Sequence, residues 1–359
     1  MSSKPEFEVT LAHDGPELSP RQMGEKLARL TAEGSVEADY YSNDGAVADL
    51  ETAMAGLLGK ERAVMFPTGT LANLMALRLL AGPDGGRVVV HRQSHLFNDS
   101  GENLSRLGGF TMVPLDDTGA GFSAIALTDE LQRRDNARVA TTVGCVAIES
   151  PVRRLHGARF PADDLENVIA LAKSERLPLF YDGARMMIEA AYTDRRPSDM
   201  AAPFDLVYVS LYKYLSAPFG CVIAGEAGLL DDVFHDRRRF GGGIYQSWPA
   251  ALLALDHLPG HLERWREAIA SSEAVIEQLS NVDGLTVRRV ESGTNIFMLE
   301  CPDGVRDSGR LVDRAAQAGL RLPPLVNGTL AIKINETWCR WDADRLASTL
   351  AGVILETAS

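Results

Sequence analysis

Two short apolar segments of this chain are each followed by polar side chains that could do chemistry. Segment 178–181 leads into Asp182, and segment 206–211 leads into Tyr212 and Lys213. Both segments have the length and apolar composition of buried strands. Ligands of open α/β sheets bind in the crevice beyond the strand ends, so we expect the Asp182 carboxylate and the Lys213 amine to lie at one site.

The carboxylate and the amine together suit one cofactor. A lysine can hold pyridoxal phosphate (PLP) as a Schiff base, and an aspartate beside the pyridine nitrogen keeps that nitrogen protonated, which makes the ring a better electron sink. We therefore predict that Lys213 and Asp182 bind PLP and act in catalysis. Each residue taken alone has a simpler interpretation, with Asp182 as a helix cap and Lys213 as a surface lysine.

A turn earlier in the chain is a candidate site for the cofactor phosphate. Thr68, Gly69 and Thr70 follow a short apolar segment and precede a helical pattern over 71–80. A turn at a helix N-terminus presents N–H groups and hydroxyls to an anion. The alternative for either threonine is a plain N-cap. Ser210 would add a hydroxyl to the phosphate site, unless it is an ordinary strand serine.

Composition limits the classes of partner. The chain has 359 residues and a net charge of −13. This charge argues against nucleic acid or an anionic membrane as a partner, and favours a small-molecule substrate. The four cysteines are scattered without a CxxC pair, so we expect neither a disulfide framework nor a metal site.

No segment has the pattern of a membrane span or of an export signal. The first residues, MSSKPEFEVTLAHDG, contain no apolar run, and no stretch approaches the roughly 18 apolar residues that a spanning helix needs. We therefore expect a cytoplasmic protein.

Strand and helix patterns alternate along most of the chain. This alternation predicts an α/β fold with a mostly parallel sheet between helices. We expect an N-terminal arm and helix over 1–38, a large domain over 39–260, and a linking helix with a small C-terminal α/β domain over 261–359. Strands are predicted over 63–66, 87–91, 110–114, 143–149, 285–289, 295–300 and 330–334, and a helix over 229–240.

Four segments together resemble a known enzyme group. MFPTGTLAN, YDGAR, SLYKYLSAPFG and RRFGGGIYQ stand in the order and approximate spacing of the threonine aldolase and β-eliminating lyase group of fold-type I PLP enzymes. The resemblance extends from about residue 9 to residue 335. It implies a PLP-dependent lyase that cleaves a β-hydroxy-α-amino acid to a glycine-like amino acid and an aldehyde.

The resemblance also implies roles for individual residues. His95 falls where the family has an imidazole that stacks over the cofactor ring, and it is the best candidate for the catalytic base; its alternative role is a loop hydrogen bond. Arg185 resembles an arginine near the phenolic oxygen of the cofactor. Lys333 stands in place of the arginine that grips the substrate carboxylate.

Several positions depart from the family pattern. Val152 replaces a histidine of the substrate pocket, and His156, four residues later, is a candidate substitute. Tyr214 replaces the glycine after the lysine and is expected to add bulk near the cofactor. Tyr245 replaces an arginine that reaches the neighbouring subunit.

In this family two chains build each active site. Tyr41 and segment 241–246 would reach across to the partner, with Tyr41 near the substrate. The resemblance therefore implies a homodimer or a homotetramer.

Two other functions stay open on the sequence alone. The missing pocket histidine is compatible with β-elimination, in which Lys213 removes the α-proton and a β-substituent leaves. A fold-type I relative that has lost catalysis and acts as a binding subunit is the other alternative, and the retention of Asp182 and Lys213 argues against it.

Overall fold

The computed structural model describes residues 7–82, 85–139, 141–305 and 308–358. Its strands, in chain order, are β1 (Val9–Thr10), β2 (Arg62–Phe66), β3 (Arg87–His91), β4 (Thr111–Leu115), β5 (Val143–Glu149), β6 (Leu179–Asp182), β7 (Leu206–Ser210), β8 (Cys221–Gly225), β9 (Thr286–Arg289), β10 (Ile296–Glu300), β11 (Leu320–Arg321), β12 (Leu325–Val326) and β13 (Thr329–Lys333).

The helices surround these strands. In chain order they are α1 (Pro20–Glu33), α2 (Gly45–Leu58), α3 (Gly69–Ala81), α4 (His95–Asn98), α5 (Asn103–Gly108), α6 (Ala124–Asp135), α7 (Ala162–Ser174), α8 (Met186–Thr193), α9 (Pro197–Ala201), α10 (Ala227–Leu230), α11 (Val233–Arg239), α12 (Trp248–His257), α13 (His261–Ser280), α14 (Ser308–Gln317) and α15 (Ala343–Ala358).

The large sheet is mostly parallel, as the alternation of strands and helices predicts. Its seven strands lie in the order β2-β8-β7-β6-β5-β3-β4, and only β8 pairs antiparallel with its neighbours among these described strands. Because β5, β6 and β7 are parallel, their carboxyl ends meet at one edge of the sheet. This edge is where the polar residues after β6 and β7 are brought together.

Buried side chains on both faces hold this sheet in place. All five residues of β7 are buried, with Val207 and Val209 in one apolar cluster and Leu206 and Tyr208 in the other. Successive side chains of a strand point to opposite faces, so a continuous apolar run is what a sheet covered by helices on both sides requires. The apolar segments of the sequence are explained by this arrangement.

A smaller antiparallel sheet organises the C-terminal part of the chain. Its four strands lie in the order β12-β13-β10-β9. A separate apolar cluster packs around it and includes Val9 and Leu11 from the beginning of the described chain. Strand β1 pairs in parallel with β11, so the N-terminal arm packs with the C-terminal unit. The domain limits 1–38, 39–260 and 261–359 stay a prediction.

Two local differences from the sequence interpretation have simple physical causes. The predicted helix over 229–240 is two helices, α10 and α11, because Asp231 and Asp232 interrupt the apolar pattern between them. Helices α6 and α8 were not predicted. The α8 sequence MMIEAAYT is almost wholly buried, so it has no polar face to give a helical period.

Across the described residues, no helix combines the length and the apolar character needed to cross a membrane.

Asn335 attaches the N-terminal arm to the C-terminal unit. Its side-chain Nδ2 donates to the backbone oxygens of Thr10 (2.8 Å) and His13 (3.0 Å). Its Oδ1 accepts from the backbone nitrogen of Thr337 (2.9 Å). Asn335 is fully buried. One amide therefore sets the position of the arm just before Asp14.

We expect Asn335→Ala to lower the free energy of unfolding by about 3 kcal/mol, because it removes the hydrogen bonds that this amide makes to the backbones of Thr10, His13 and Thr337. Urea denaturation followed by circular dichroism measures the change. Asn281→Ala is the matched control, because that amide is exposed and donates to one carbonyl of its own helix. Equal shifts in the two variants would contradict the proposed role of Asn335.

Candidate active site

A cavity of about 300 Å³ lies beyond the carboxyl ends of β5, β6 and β7. It contains the two residues from which the sequence interpretation began, together with most of the others predicted for the site. The lining residues are Pro67, Thr68, Gly69, Thr70, Asn73, His95, Glu149, Arg153, Asp182, Ala184, Arg185, Tyr208, Tyr212, Lys213, Pro218, Phe219 and Gly220.

Asp182 is the last residue of β6 and lies at the floor of the cavity. In the sheet register it stands beside Glu149 of β5 and Tyr208 of β7. The carboxylate is buried, and its Oδ2 makes no hydrogen bond within the described part of the chain. Nδ1 of His95 is 3.9 Å from this oxygen. A buried carboxylate oxygen without a donor needs a ligand that supplies one.

Lys213 lies in the turn between β7 and β8. The backbone nitrogen of Leu211 donates to the oxygen of Gly220 at 3.0 Å, which closes this turn at its base. Burial, together with the positive charge of Arg185, lowers the pKa of Lys213 to about 8, while the Asp182 and Asp14 carboxylates act in the opposite direction. An amine with a pKa near neutrality has a substantial neutral fraction, which is the nucleophilic form.

The Thr68 turn begins helix α3, as predicted. Oγ1 of Thr68 accepts a hydrogen bond from the backbone nitrogen of Leu71 at 3.3 Å, so Thr68 is the N-cap of this helix. Gly69 is required because a Cβ there would collide with the Tyr208 hydroxyl. Thr70 lines the cavity beside it. The helix N-terminus therefore faces the cavity and offers backbone N–H groups to an anion.

His95 is the first residue of α4, and Glu149 fixes its backbone. Oε2 of Glu149 accepts from the backbone nitrogen of His95 at 2.5 Å. Burial lowers the pKa of His95, and the Asp182 carboxylate acts against this shift. Burial and the charge of Asp182 raise the pKa of Glu149 to about 7. His95 therefore stays neutral near pH 7, as a base must be.

Arg185 and Lys333 both bind one buried carboxylate, that of Asp14. Nε and Nη2 of Arg185 lie 2.9 and 2.8 Å from Oδ2 of Asp14, and Nζ of Lys333 lies 3.1 Å from Oδ1. Burial alone would raise the pKa of Asp14, but the two cations hold it well below its usual range. The cluster carries a net positive charge, because two cations share one carboxylate.

Lys333 therefore does not line the cavity, and it contacts Asp14 behind the Arg185 side chain. Three other predicted site residues also lie outside the lining. Ser210 is buried at the end of β7, His156 is exposed on the turn after β5, and Tyr41 lies at the surface with Tyr245. Their assignment to the cofactor or the substrate stays a prediction.

Tyr214 does not add bulk beside the cofactor site. Its ring is fully buried and stacks on the imidazole of His261, with ring centroids 5.5 Å apart. The backbone of Tyr214 packs closely against Gly15, where a Cβ would lie 2.7 Å from the Tyr214 Cα. Tyr214 directly follows Lys213 in a tight turn. Its side chain points into the protein, whereas Lys213 lines the cavity.

Among the charged residues in and around the site, Asp14, Glu149 and Arg153 were not found from the sequence. Glu149 had a usable signal, since it is a charged residue at the end of an apolar strand beside the Asp182 strand. Arg153 follows on the loop after that strand. Asp14 had no such signal, because it lies 171 residues before its partner Arg185.

The residues of the cavity fit PLP. The unpaired Oδ2 of Asp182 is an acceptor for a protonated ring nitrogen, and the Lys213 amine is placed to hold an aldehyde carbon. The α3 N-terminus provides N–H donors for a phosphate. Arg185 lines the cavity and also belongs to the ion cluster of Asp14, Arg185 and Lys333, which is called the Asp14 cluster below.

Comparison with known proteins identifies the group to which this arrangement is similar. The family described as beta-eliminating lyase matches residues 21–302. The "Probable low-specificity L-threonine aldolase 2" of Arabidopsis thaliana is 26% identical over 282 residues, which cover 78% of this chain and 79% of the relative. The "Low specificity L-threonine aldolase" of Saccharomyces cerevisiae is 24% identical over 256 residues, covering 71% and 65% of the two chains.

A solved structure shows the same fold. A Listeria monocytogenes protein assigned as an L-allo-threonine aldolase superposes with a TM-score of 0.79 at 24% identity, over 99% of this chain and 97% of that one. The α/β architecture predicted from the resemblance is confirmed by this likeness.

We expect the rate of PLP capture by the apoprotein to rise with pH through a midpoint near 8, because the neutral Lys213 amine is the reactive form. Asp14→Asn should move this midpoint to lower pH, because the Asp14 carboxylate raises the pKa of Lys213. The measurement is the growth of the visible absorption of bound PLP between pH 6 and 10.

Lys213→Ala should show no such absorption at any pH. Asp283→Asn, an exposed aspartate between α13 and β9, is the control for Asp14→Asn and should leave the midpoint unchanged. A midpoint that is the same in wild type and Asp14→Asn would contradict the electrostatic coupling of the two residues.

Proposed function

The chain belongs to the beta-eliminating lyase family and is a PLP-dependent lyase, and on this premise we propose that it cleaves a β-hydroxy-α-amino acid between Cα and Cβ. The products would be a glycine-like amino acid and an aldehyde. The relatives named as threonine aldolases support this reaction within the family.

The observation that carries the proposal is the convergence of one set of groups on one cavity. Asp182, Lys213, His95 and the Thr68 turn come from four separated segments of the chain, and all line the same space. Asp182 has a carboxylate oxygen without a donor in the described part of the chain, and burial lowers the pKa values of His95 and Lys213 toward the neutral forms that their proposed roles use. If each residue had only a structural role, such as a helix cap or a loop hydrogen bond, there would be no reason for all of them to line one cavity.

Bound PLP supplies an electron sink for the negative charge that develops at Cα when a bond to that carbon breaks. Lys213 would hold the cofactor through Nζ, and Asp182 would accept a hydrogen bond from its ring nitrogen. The Thr68 turn would bind the phosphate. These three contacts would hold the reacting carbon in a defined position relative to His95.

His95 is the proposed base for the β-hydroxyl group. Its lowered pKa keeps the imidazole neutral and able to accept a proton at Nδ1 or Nε2. Removal of the hydroxyl proton allows the Cα–Cβ bond to break and the aldehyde to leave, and Cα then takes up a proton. The Glu149 carboxylate holds the His95 backbone during this proton transfer.

The Asp14 cluster is the proposed binding site for the substrate's α-carboxylate. Arg185 lines the cavity and Lys333 lies behind it, and Asp14 keeps both cations in place. The net positive charge of the cluster attracts an anion. A lysine at 333 gives this charge without the bidentate geometry of an arginine.

A homodimer or homotetramer is also proposed, in a cytoplasmic location. The rings of Tyr40, Tyr41 and Tyr245 pack edge-to-face with centroids 4.8 to 5.5 Å apart. Tyr40 is 62% exposed and Tyr245 56% exposed, so the cluster presents a large apolar surface. Such a surface on a rigid turn is typical of protein interfaces.

We expect purified protein with PLP to release an aldehyde from β-hydroxy-α-amino acids, measured with an NADH-coupled aldehyde reductase. His95→Asn should lower kcat about 10²- to 10⁴-fold, as loss of a general base does. In wild type, kcat should fall in acid, at a pH lower than that at which an ordinary histidine titrates, because burial lowers the pKa of His95 and the imidazole becomes protonated only there.

His235→Asn is the control for His95→Asn, because that histidine is exposed on α11 away from the cavity. His156→Asn tests the other candidate histidine and should also retain activity. A 2-oxo acid as product in place of an aldehyde would contradict the proposed reaction. Full activity in His95→Asn would contradict the proposed base.

Light scattering of the PLP-loaded protein should give a mass of two or four chains. Tyr40→Ser combined with Tyr245→Ser should shift the assembly toward the monomer, because these changes remove the exposed rings. Val139→Ser, a change of another strongly exposed apolar residue, is the control. A fully active monomer would rule out the shared active site.

A further inference from the structure

Arg153 lines the cavity on the loop where the family's pocket histidine is absent. Val152, which stands at the histidine position, is fully buried in a small apolar cluster with Ala120 and Ala158 and is not part of the cavity wall. The next residue, Arg153, does line the cavity. The loop therefore offers a guanidinium group to the substrate where the relatives offer an imidazole.

One buried carboxylate holds Arg153 and His95 together. Oε1 of Glu149 accepts from the backbone nitrogen of Arg153 at 3.1 Å, and Oε2 accepts from the backbone nitrogen of His95. The backbones of Arg153 and of the proposed base, His95, are therefore held by the same carboxylate. Both residues line the same cavity.

Two guanidinium groups share one carboxylate beside the cavity. Arg153 and Arg154 share a single carboxylate, Asp99, at 3.2 and 3.1 Å. The Arg153 side chain is 55% exposed, so it has room to bind an incoming group. Its charge also lowers the pKa of His95 and of Lys333, in both cases as a smaller cause than burial. Its field therefore reaches both the proposed base and the carboxylate site.

We propose that Arg153 binds a carboxylate on the substrate's side chain, so that the preferred substrate is a β-hydroxy-α-amino acid with a second carboxylate. This inference rests on the proposed function for the reaction itself. The α-carboxylate would occupy the Asp14 cluster, and the side-chain carboxylate would pair with Arg153 at the opposite side of the reacting carbon. Two cationic positions in one cavity match a dicarboxylic amino acid.

The reaction balances without a further reactant. The Cα–Cβ bond breaks and its electron pair stays with Cα, while the β-hydroxyl proton passes to His95. The departing fragment is an aldehyde that still carries the side-chain carboxylate. Cα takes up a proton and leaves as glycine, so the reaction has no net change of oxidation state.

An aromatic side chain is the competing occupant. Tyr212 and Phe219 also line the cavity, and Tyr212 is 48% exposed. The shared use of Asp99 by Arg153 and Arg154 favours the carboxylate, because an aromatic ring would not add a second anionic partner for Arg153.

The test compares the affinities of aspartate and asparagine for the PLP-loaded protein by titration calorimetry, since the two ligands have the same shape and differ in charge. Wild type should bind aspartate at least about tenfold more tightly than asparagine, a ratio typical of one charge-assisted pair. Arg153→Gln should bring the ratio close to one, and Arg153→Lys should retain part of it.

Two further variants make the test independent of folding defects. Arg159→Gln removes the same charge from a half-buried position of the same loop that does not line the cavity, and should keep the wild-type ratio. Asp99→Asn should raise the preference for aspartate, because it frees the Arg153 guanidinium from its carboxylate. A change in the opposite direction cannot result from misfolding.

Equal affinities for the two ligands in wild type, tighter binding of phenylalanine than of aspartate, or an unchanged ratio in Arg153→Gln would each overturn the inference. Failure of the proposed function gives a different result. If no β-hydroxy amino acid is cleaved while the Arg153-dependent preference for aspartate is present, the reaction is wrong and the ligand preference stands.

Discussion

The buried charge of Asp14 is the constraint on which the site depends. An unpaired carboxylate in this environment would be very costly, so Arg185 and Lys333 must both approach it. These three residues come from the N-terminal arm, the end of β6 and the end of β13. One ion cluster therefore joins the large sheet, the small sheet and the arm at the edge of the cavity.

A second electrostatic requirement acts on the neighbouring strand ends. Glu149 and Asp182 stand side by side in the sheet register, and two adjacent buried carboxylates resist simultaneous ionisation. The backbone nitrogens of His95 and Arg153 satisfy Glu149, whereas Oδ2 of Asp182 is left without a donor. This asymmetry supports the proposed role of Asp182 as the partner of a cationic ring, while Glu149 holds the backbones of His95 and Arg153.

Much of the large domain could be predicted from the sequence, since apolar strands such as β3 and β5 have clear ends. The convergence of Asp182 and Lys213 followed from the parallel order of β6 and β7. The Asp14 cluster could not be predicted, because a contact across 171 residues leaves no local pattern. Helix α8 was missed for a related reason, since burial on all sides removes the periodicity that marks a helix.

The pairing of the arm with the last strands sets an order of events during synthesis. The strands of the large sheet all precede residue 226 and can associate while the ribosome is still adding the C-terminal unit. The anchors of the arm, Asn335 and Lys333, emerge much later. Until then Asp14 lacks Lys333 as a partner. Lys213, whose pKa depends in part on Asp14, therefore lacks its final electrostatic surroundings. The nascent chain therefore completes its sheet well before it can complete its cofactor site.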